Sequence, residues 1–251
     1  MKKFSVFFND VEIPEFVKVK AVNTTVLPEI STNYKTIAGG SGVIDTKITK
    51  GGKKVSLEVV IVIDKDSNLL QLQRELAFWL RGDNFKLSSL VITDEEELEY
   101  KAKINNSVDI KDLLVAGEGT IDFYVPSGVA TSRNYIYGTE IATDTVLVDY
   151  FGTENAYPII TFTPSQSYKN GTLRIIEELT GNTFLSTPYN FTANVPIVID
   201  CTKRLVKVGE DLHLDLIDLK SKWPTLQARR VNKFRVNLSG KLEIKYKETW
   251  L

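Results

Sequence analysis

The stretch Leu242-Glu243-Ile244-Lys245-Tyr246-Lys247-Glu248-Thr249-Trp250-Leu251 alternates strictly at its start. Leu242, Ile244, Tyr246 and Trp250 share one parity; Glu243, Lys245, Lys247 and Thr249 share the other. This is the period-two signature of a half-buried strand. The two large apolar residues at its end predict that the final residues pack into a sheet. Upstream, Phe234, Val236 and Leu238 alternate with Arg235 and Asn237, and Ser239-Gly240-Lys241 separates the two runs. Read as a hairpin, a three-residue loop pairs Leu238 with Leu242 and Val236 with Ile244, apolar against apolar, with Gly240 supplying backbone freedom.

Working back along the chain, the second half reads as all-β. Strands are expected at Thr145–Asp149, Ile159–Thr163, Gly171–Glu177, Thr183–Leu185, Val195–Asp200, Leu205–Val208 and the Leu212–Leu219 region. Short strands at regular spacing between Asn-Gly, Gly-Asn and Gly-Glu turns predict a β-sandwich. The first half is mixed. Ile44, Thr46 and Ile48 precede Lys50-Gly51-Gly52-Lys53, and Val55, Leu57, Val59, Ile61 and Ile63 follow. A Gly51-Gly52 turn would pair Ile48 with Val55 and Ile44 with Val59. Val60 and Val62 make the end of that second strand apolar on both faces, so a cover is expected. Leu69, Leu72, Leu76, Trp79 and Leu80 supply one at helical spacing, with Asp66-Ser67-Asn68 as cap residues and Gly82 beyond the end. Further strands are expected at Lys86–Thr93, Leu98–Ile104 and Gly119–Val125.

The fold class expected is therefore mainly β with one helix: a hairpin-plus-helix domain over residues 1–127, a linker over 128–136, and a β-sandwich over 137–251. A chain of 251 residues can bury a sizeable core without staples. Its one cysteine, Cys201, rules out an internal disulfide. The 31 basic and 32 acidic residues leave a net charge of −1, which argues against a binder that works by neutralising phosphates. Asn9-Asp10 cuts the opening apolar run too short for a signal peptide, and no stretch reaches membrane-spanning length. A soluble protein made in a reducing cytoplasm is expected. The sequons at Asn23, Asn105, Asn170, Asn190 and Asn237 read as by-products of an Asn- and Thr-rich β sequence.

Chemistry is sparse. The single histidine, His213, sits in Asp211-Leu212-His213-Leu214-Asp215-Leu216, whose alternation reads as a strand with a solvated polar face. Ligands two residues apart on one strand converge poorly on a metal, so no metal or cofactor is expected. Cys201 follows Asp200, and an acidic neighbour raises a thiol's pKa, the wrong direction for a nucleophile. The run Asp94-Glu95-Glu96-Glu97 reads as a solvated turn rather than a pair of catalytic carboxylates across a cleft. Gly39-Gly40-Ser41-Gly42 lacks the Lys-Ser/Thr of a phosphate-binding loop and reads as a flexible loop or a subunit-contact loop. No enzyme activity is expected.

Several stretches, taken in order, resemble a known family. They are Gly152-Thr153-Glu154-Asn155-Ala156-Tyr157-Pro158-Ile159-Ile160-Thr161-Phe162, Ile199-Asp200-Cys201, Trp223-Pro224-Thr225-Leu226 and the closing Trp250-Leu251, preceded by Leu72 to Leu80 and Gly82 ahead of the strand with Tyr100 and Ala102. The arrangement resembles the distal tail proteins of long, non-contractile-tailed phages of Gram-positive bacteria. The resemblance implies an amino-terminal half that forms a ring, usually hexameric, and a galectin-like carboxy-terminal sandwich outside it. The partners implied are other copies of the chain, the tail tube protein, and a tail-associated hub, lysin or baseplate protein. DNA would pass only in transit through the lumen. The implied location is the virion tail tip, assembled in the host cytoplasm, with no membrane contact.

A closed ring needs two different complementary surfaces per subunit. They are expected in the first half, at the loop Ile37–Gly42 and the Gly51-Gly52 turn, giving Gly39, Gly40, Gly42, Gly51 and Gly52 as interface residues. The alternative is a lectin-like module contacting the host cell wall, with Trp223, Tyr168 and Tyr189 as stacking platforms.

Overall fold

The computed structural model describes residues 5–36, 41–63, 67–105, 118–142 and 144–251. The chain divides into two compact units, residues 1–131 with Leu251 and residues 132–250. The strands of unit 1 are β1 Val6–Phe8, β2 Val11–Glu12, β3 Val17–Thr24, β4 Ile30–Thr36, β5 Val43–Lys50, β6 Lys53–Ile61, β7 Ser88–Ile92, β8 Leu98–Ile104 and β9 Gly119–Val125. The helix α1, Leu69–Arg81, is the one α-helix among the described residues.

The main sheet of unit 1 runs in the order β2-β1-β7-β8-β9-β6-β3, with antiparallel neighbours. Its core face follows from period-two alternation: Val55, Leu57 and Val59 of β6 are buried, as are Ile121 and Phe123 of β9. The helix lies on that face. Asn68 caps it, its side-chain oxygen accepting the N–H groups of Leu70 and Gln71, and Gly82 ends it at φ 51°. Leu76 and Trp79 point inward. The Trp79 ring meets Phe8 and Phe123 edge-on at 5.9 and 6.0 Å, and its Nε1–H donates to the Val11 carbonyl at 2.9 Å. Phe123 is the cross-strand partner of Val55. The helix therefore covers the Val55–Leu57–Val59 face, not that of Val60 and Val62; Val62 is exposed.

The Gly-Gly hairpin expected at 44–63 does not form. β5 pairs with β4, Ile48 facing Thr32 and Ile44 facing Lys35, while β6 pairs with β3 and β9. Through Gly51 and Gly52 the chain passes from β5 into β6 without turning back. The two runs 17–36 and 43–61 form two successive antiparallel ladders instead, β3 with β6 and β4 with β5.

β10, Ala130–Ser132, spans the division, and β11 Ile136–Tyr137, β12 Thr139–Ala142, β13 Thr145–Tyr150, β14 Ile159–Pro164, β15 Tyr168–Gly171, β16 Arg174–Glu177 and β17 Thr183–Leu185 follow. Then come β18 Tyr189–Phe191, β19 Ile197–Asp200, β20 Leu205–Val208, β21 Asp211–Leu212, β22 Arg230–Val236, β23 Gly240–Tyr246 and β24 Thr249–Trp250. In unit 2 the orders β11-β23-β14-β19-β20-β21 and β12-β13-β22-β16-β17 form two sheets. Between them lies a core that includes Phe162, Phe184, Phe234, Ile160, Ile199 and Ile244. This is the expected sandwich.

The terminal hairpin is not part of it. β22 and β23 are consecutive but lie in opposite sheets: Val236 faces Ile175, and Ile244 faces Ile160. An arch between two sheets and a hairpin within one both bury alternate residues, so alternation could not separate them. Gly240 has another reason to be glycine. A Cβ there would strike the Thr163 carbonyl and come within 2.7 Å of the Phe162 ring. The Leu212–Leu219 strand is also corrected. β21 ends at Leu212, and Leu214–Leu216 is a 3-10 turn that buries only Leu216 of its two leucines.

Burial raises the pKa of three tyrosines across the two units. Tyr100 in unit 1 and Tyr246 in unit 2 are each pushed up to about 12, by desolvation first and then by nearby carboxylates. Tyr150 is raised too, again mainly by burial. A folded pKa above the unfolded value near 10 gives stability that is complete below pH 10 and lost as pH rises through 12. Alkaline titration followed by near-ultraviolet circular dichroism should therefore show unfolding beginning above pH 10. Tyr246→Phe, which cannot ionise, should move the onset upward; cooperative loss of structure below pH 9 would contradict this.

Candidate assembly surface

β4 and β5 form a two-stranded sheet of their own, an arm that follows on from the β3–β6 pair along the chain. The sequence explains why it has no core face. Where β6 places an apolar residue at every second position, β4 reads Ile-Ser-Thr-Asn-Tyr-Lys-Thr, with only Ile30 and Tyr34 large and apolar. All of β4 is exposed except half-buried Thr32, and Val43 and Lys47 to Lys50 of β5 are exposed as well. No described side chain of the ribbon is buried, and a two-stranded ribbon on its own is marginal in water.

At its root the pairing extends to two glycines. The Gly51 N–H donates to the Glu29 carbonyl at 2.6 Å, and the Glu29 N–H donates to the Gly52 carbonyl at 3.1 Å. A Cβ on Gly52 would run into the Tyr124 ring. Gly51 and Gly52 therefore mark a close approach at the arm's root, not a turn. Gly42 lies at the other end, beside Val43, at φ 109° with open space around it. Gly39 and Gly40 lie outside the described residues. A cleft of about 430 Å³ opens at the root, with Pro28, Glu29, Lys103 and Tyr124 in its wall. Lys54, also in the wall, pairs with Asp122 at 2.7 Å.

The other sequence-derived candidates are placed plainly. Thr93–Glu95 is a 3-10 turn between β7 and β8, and the acidic run sits on it and the residues that follow. The His213 Nδ1 lies 3.4 Å from Asp215 Oδ1, and its ring meets Tyr189 edge-on at 5.5 Å. Among the described residues, no three His, Cys, Asp or Glu side chains are grouped to hold a metal. Cys201 is buried, its thiol pushed up by desolvation and further by Asp200. The Asp200 carboxylate accepts the N–H groups of Thr202 and Lys203 at 3.0 and 2.9 Å.

Trp223, Tyr168 and Tyr189 are not brought together as one platform. Trp223 packs on Phe184 and Tyr189 on Phe191, at 5.8 and 5.3 Å. The Tyr168 hydroxyl accepts the Ser239 N–H at 2.8 Å. All three rings pack against the sandwich core. Among the described residues, no helix is long and apolar enough to cross a membrane.

The arm itself escaped the sequence reading. The alternation Val17-Lys18-Val19-Lys20-Ala21 was its available signal, since it marks β3, the strand that takes β6 as partner.

Comparison with known proteins matches each unit separately. Residues 9–125 match the phage tail protein RIFT-related domain, and residues 151–250 match the siphovirus-type tail component, C-terminal domain. The chain has no match among curated proteins. Its fold is similar to the crystal structure of the SPP1 Dit protein, described as a paradigm of the hub adsorption apparatus in phages infecting Gram-positive bacteria. The TM-score is 0.80 at 16% identity, covering 100% of both chains. Structures of the phage P2 baseplate in its activated conformation, with calcium and with strontium, align at a TM-score of 0.45. Their identities are 9% and 10%, over 98% of this chain and 97% of theirs.

Proposed function

From a chain that belongs to the siphovirus-type distal tail components, we propose that copies of unit 1 close into a ring, six to a turn, at the phage tail tip. The protein is a structural hub or baseplate component of the tail. In this reading its output is geometric. The ring joins the tube protein on one side to the hub or baseplate protein on the other, and its lumen stays open for DNA in transit. Subunits assemble in the host cytoplasm and remain in the virion.

The observation that carries the reading is the arm. None of the described side chains of β4 and β5 is buried, and such a ribbon gains most of its stability when another surface covers it. In this reading the interface residues are Gly51 and Gly52 at the root and Gly42 before β5, together with Gly39 and Gly40, which lie outside the described residues.

Negative-stain microscopy and light scattering of the purified protein test it. Rings with a central hole, and a mass that is a fixed multiple of 28.2 kDa, are expected. Monomers persisting at high concentration, alone and mixed with tube protein, would sink the proposal.

A further inference from the structure

Among the asparagines that carry no assembly role, one stands apart, and we propose that Asn170 is a site of spontaneous covalent modification, its side-chain amide displaced by the backbone nitrogen of Gly171. Asn170-Gly171 is the only Asn-Gly pair in the chain. Asparagine is a chemically labile residue, and it is most labile where the next backbone nitrogen can reach its side chain. Glycine, with no Cβ, leaves that nitrogen the most open approach. The site lies in unit 2 and does not depend on whether unit 1 closes a ring.

The fold leaves the pair open at a break in a ladder. Tyr168 faces Phe191 and Gly171 faces Tyr189, so Lys169 and Asn170 of β15 stand against Asn190 alone on β18. This is a β-bulge, whose extra residue drops out of the ladder. Asn170 takes φ 52° there, the left-handed region that asparagine tolerates better than most residues. Its N–H donates to the Asn190 side-chain oxygen at 2.8 Å. Both Lys169 and Asn170 are exposed, and the Asn170 side-chain amide makes no hydrogen bond to any described residue. Other asparagines are held. Asn237 accepts the Arg174 N–H at 2.7 Å and donates to the Thr172 carbonyl at 2.9 Å, and Asn190 accepts from Asn170. Each of these two precedes a large apolar residue, Leu238 and Phe191.

The chemistry needs only water. The Gly171 nitrogen attacks Cγ of Asn170; the N–Cγ bond forms, the Cγ–Nδ2 bond breaks, and ammonia leaves with the Gly171 proton, giving a cyclic imide. Water then opens the ring. Attack at Cγ gives aspartate with the original backbone. Attack at the Asn170 backbone carbonyl carbon gives isoaspartate, whose chain runs through Cβ and Cγ and is one atom longer. Nothing is oxidised or reduced. Either product adds one negative charge to a chain of net charge −1. The longer backbone also disturbs the pairing of β15 with β18. That two-stranded sheet carries Tyr168 and Tyr189, which pack on the sandwich core, so the isoaspartate form should hold those rings less firmly.

The test ages the full-length protein in mildly alkaline buffer and follows each asparagine by peptide mapping and mass spectrometry. Asn170 should gain about one dalton per event and yield two isomers that separate on chromatography. Its loss should outpace that of Asn190 and Asn237 by about tenfold or more. The same protein in denaturant supplies the rate of an unconstrained chain, and the folded rate should stay within about tenfold of it. Gly171→Ala places a Cβ 3.0 Å from that of Tyr168 and should slow the loss by about tenfold, with circular dichroism confirming the fold. Loss at Asn170 no faster than at Asn190 and Asn237 would overturn the assignment. So would a folded rate far below the denatured one, because the bulge would then shield the amide, and so would an unchanged rate in folded Gly171→Ala. Should that variant fail to fold, the two comparisons within the parent still decide.

Discussion

Replacing Trp79 with alanine is expected to destabilise unit 1 by about 3–5 kcal/mol, the range for deleting a large aromatic from a packed core. The side chain is almost fully buried and performs three tasks. Its ring fills the space between Phe8 and Phe123, its Nε1–H satisfies the Val11 carbonyl, and its position one turn from Leu76 seats α1 on the sheet. Alanine keeps the helix propensity but removes all three. The measurement is a urea titration followed by the helical circular dichroism signal, whose midpoint should fall with little change in slope. A midpoint within error of the parent would mean that the helix is seated by something other than this ring.

The second large effect is expected in unit 2. Phe162→Ala should cost about 3–5 kcal/mol on the same grounds. Phe162 has no exposed surface. It lies on β14, the strand between β19 and β23, with Ile197 and Leu242 as its register partners. Removing the ring opens a void that neighbours held in two ladders can fill only partly. Phe162→Leu keeps most of the volume and should lose clearly less. Thermal unfolding of the two variants beside the parent decides it: similar losses for leucine and alanine would show that the site collapses freely around a gap.

What could be read in advance was alternation, and what could not was partnership. β9, β17 and β20 follow from period-two runs bounded by turn residues, and α1 from its apolar stripe and its cap. Each of those signals is local. Pairing depends on residues far apart in the chain. Val236 alternates identically whether its neighbour is Leu238's own continuation or Ile175 on another strand. The Gly51-Gly52 pair looked like a turn because glycine permits one, yet here it is required by the approach of Glu29 and Tyr124. The leucines at 212, 214 and 216 mimic a strand, but the chain leaves the sheet after Leu212. On the candidate surface, Gly51 and Gly52 lie at the arm's root, where Glu29 bonds to both. The arm was hidden because its β5 half, Ile44, Thr46 and Ile48, was paired with β6 in the sequence, while β4, with only Ile30 and Tyr34 large and apolar, gave no strand signal.

The placement of β23 has a consequence for biosynthesis. It lies between β11 and β14, inside its sheet rather than at the rim, although it follows every other strand of that sheet in the chain. Closing a ladder between residues separated by some eighty positions is slow compared with joining sequence neighbours. The β3–β6 and β4–β5 ladders of unit 1 join near neighbours and can zip up while the ribosome is still working, whereas the sandwich must wait with a slot open until Tyr246 emerges. A nascent chain that stalls short of that point would expose β11 and β14 as two unfilled edges, the surfaces a chaperone or a misassembled neighbour would reach first.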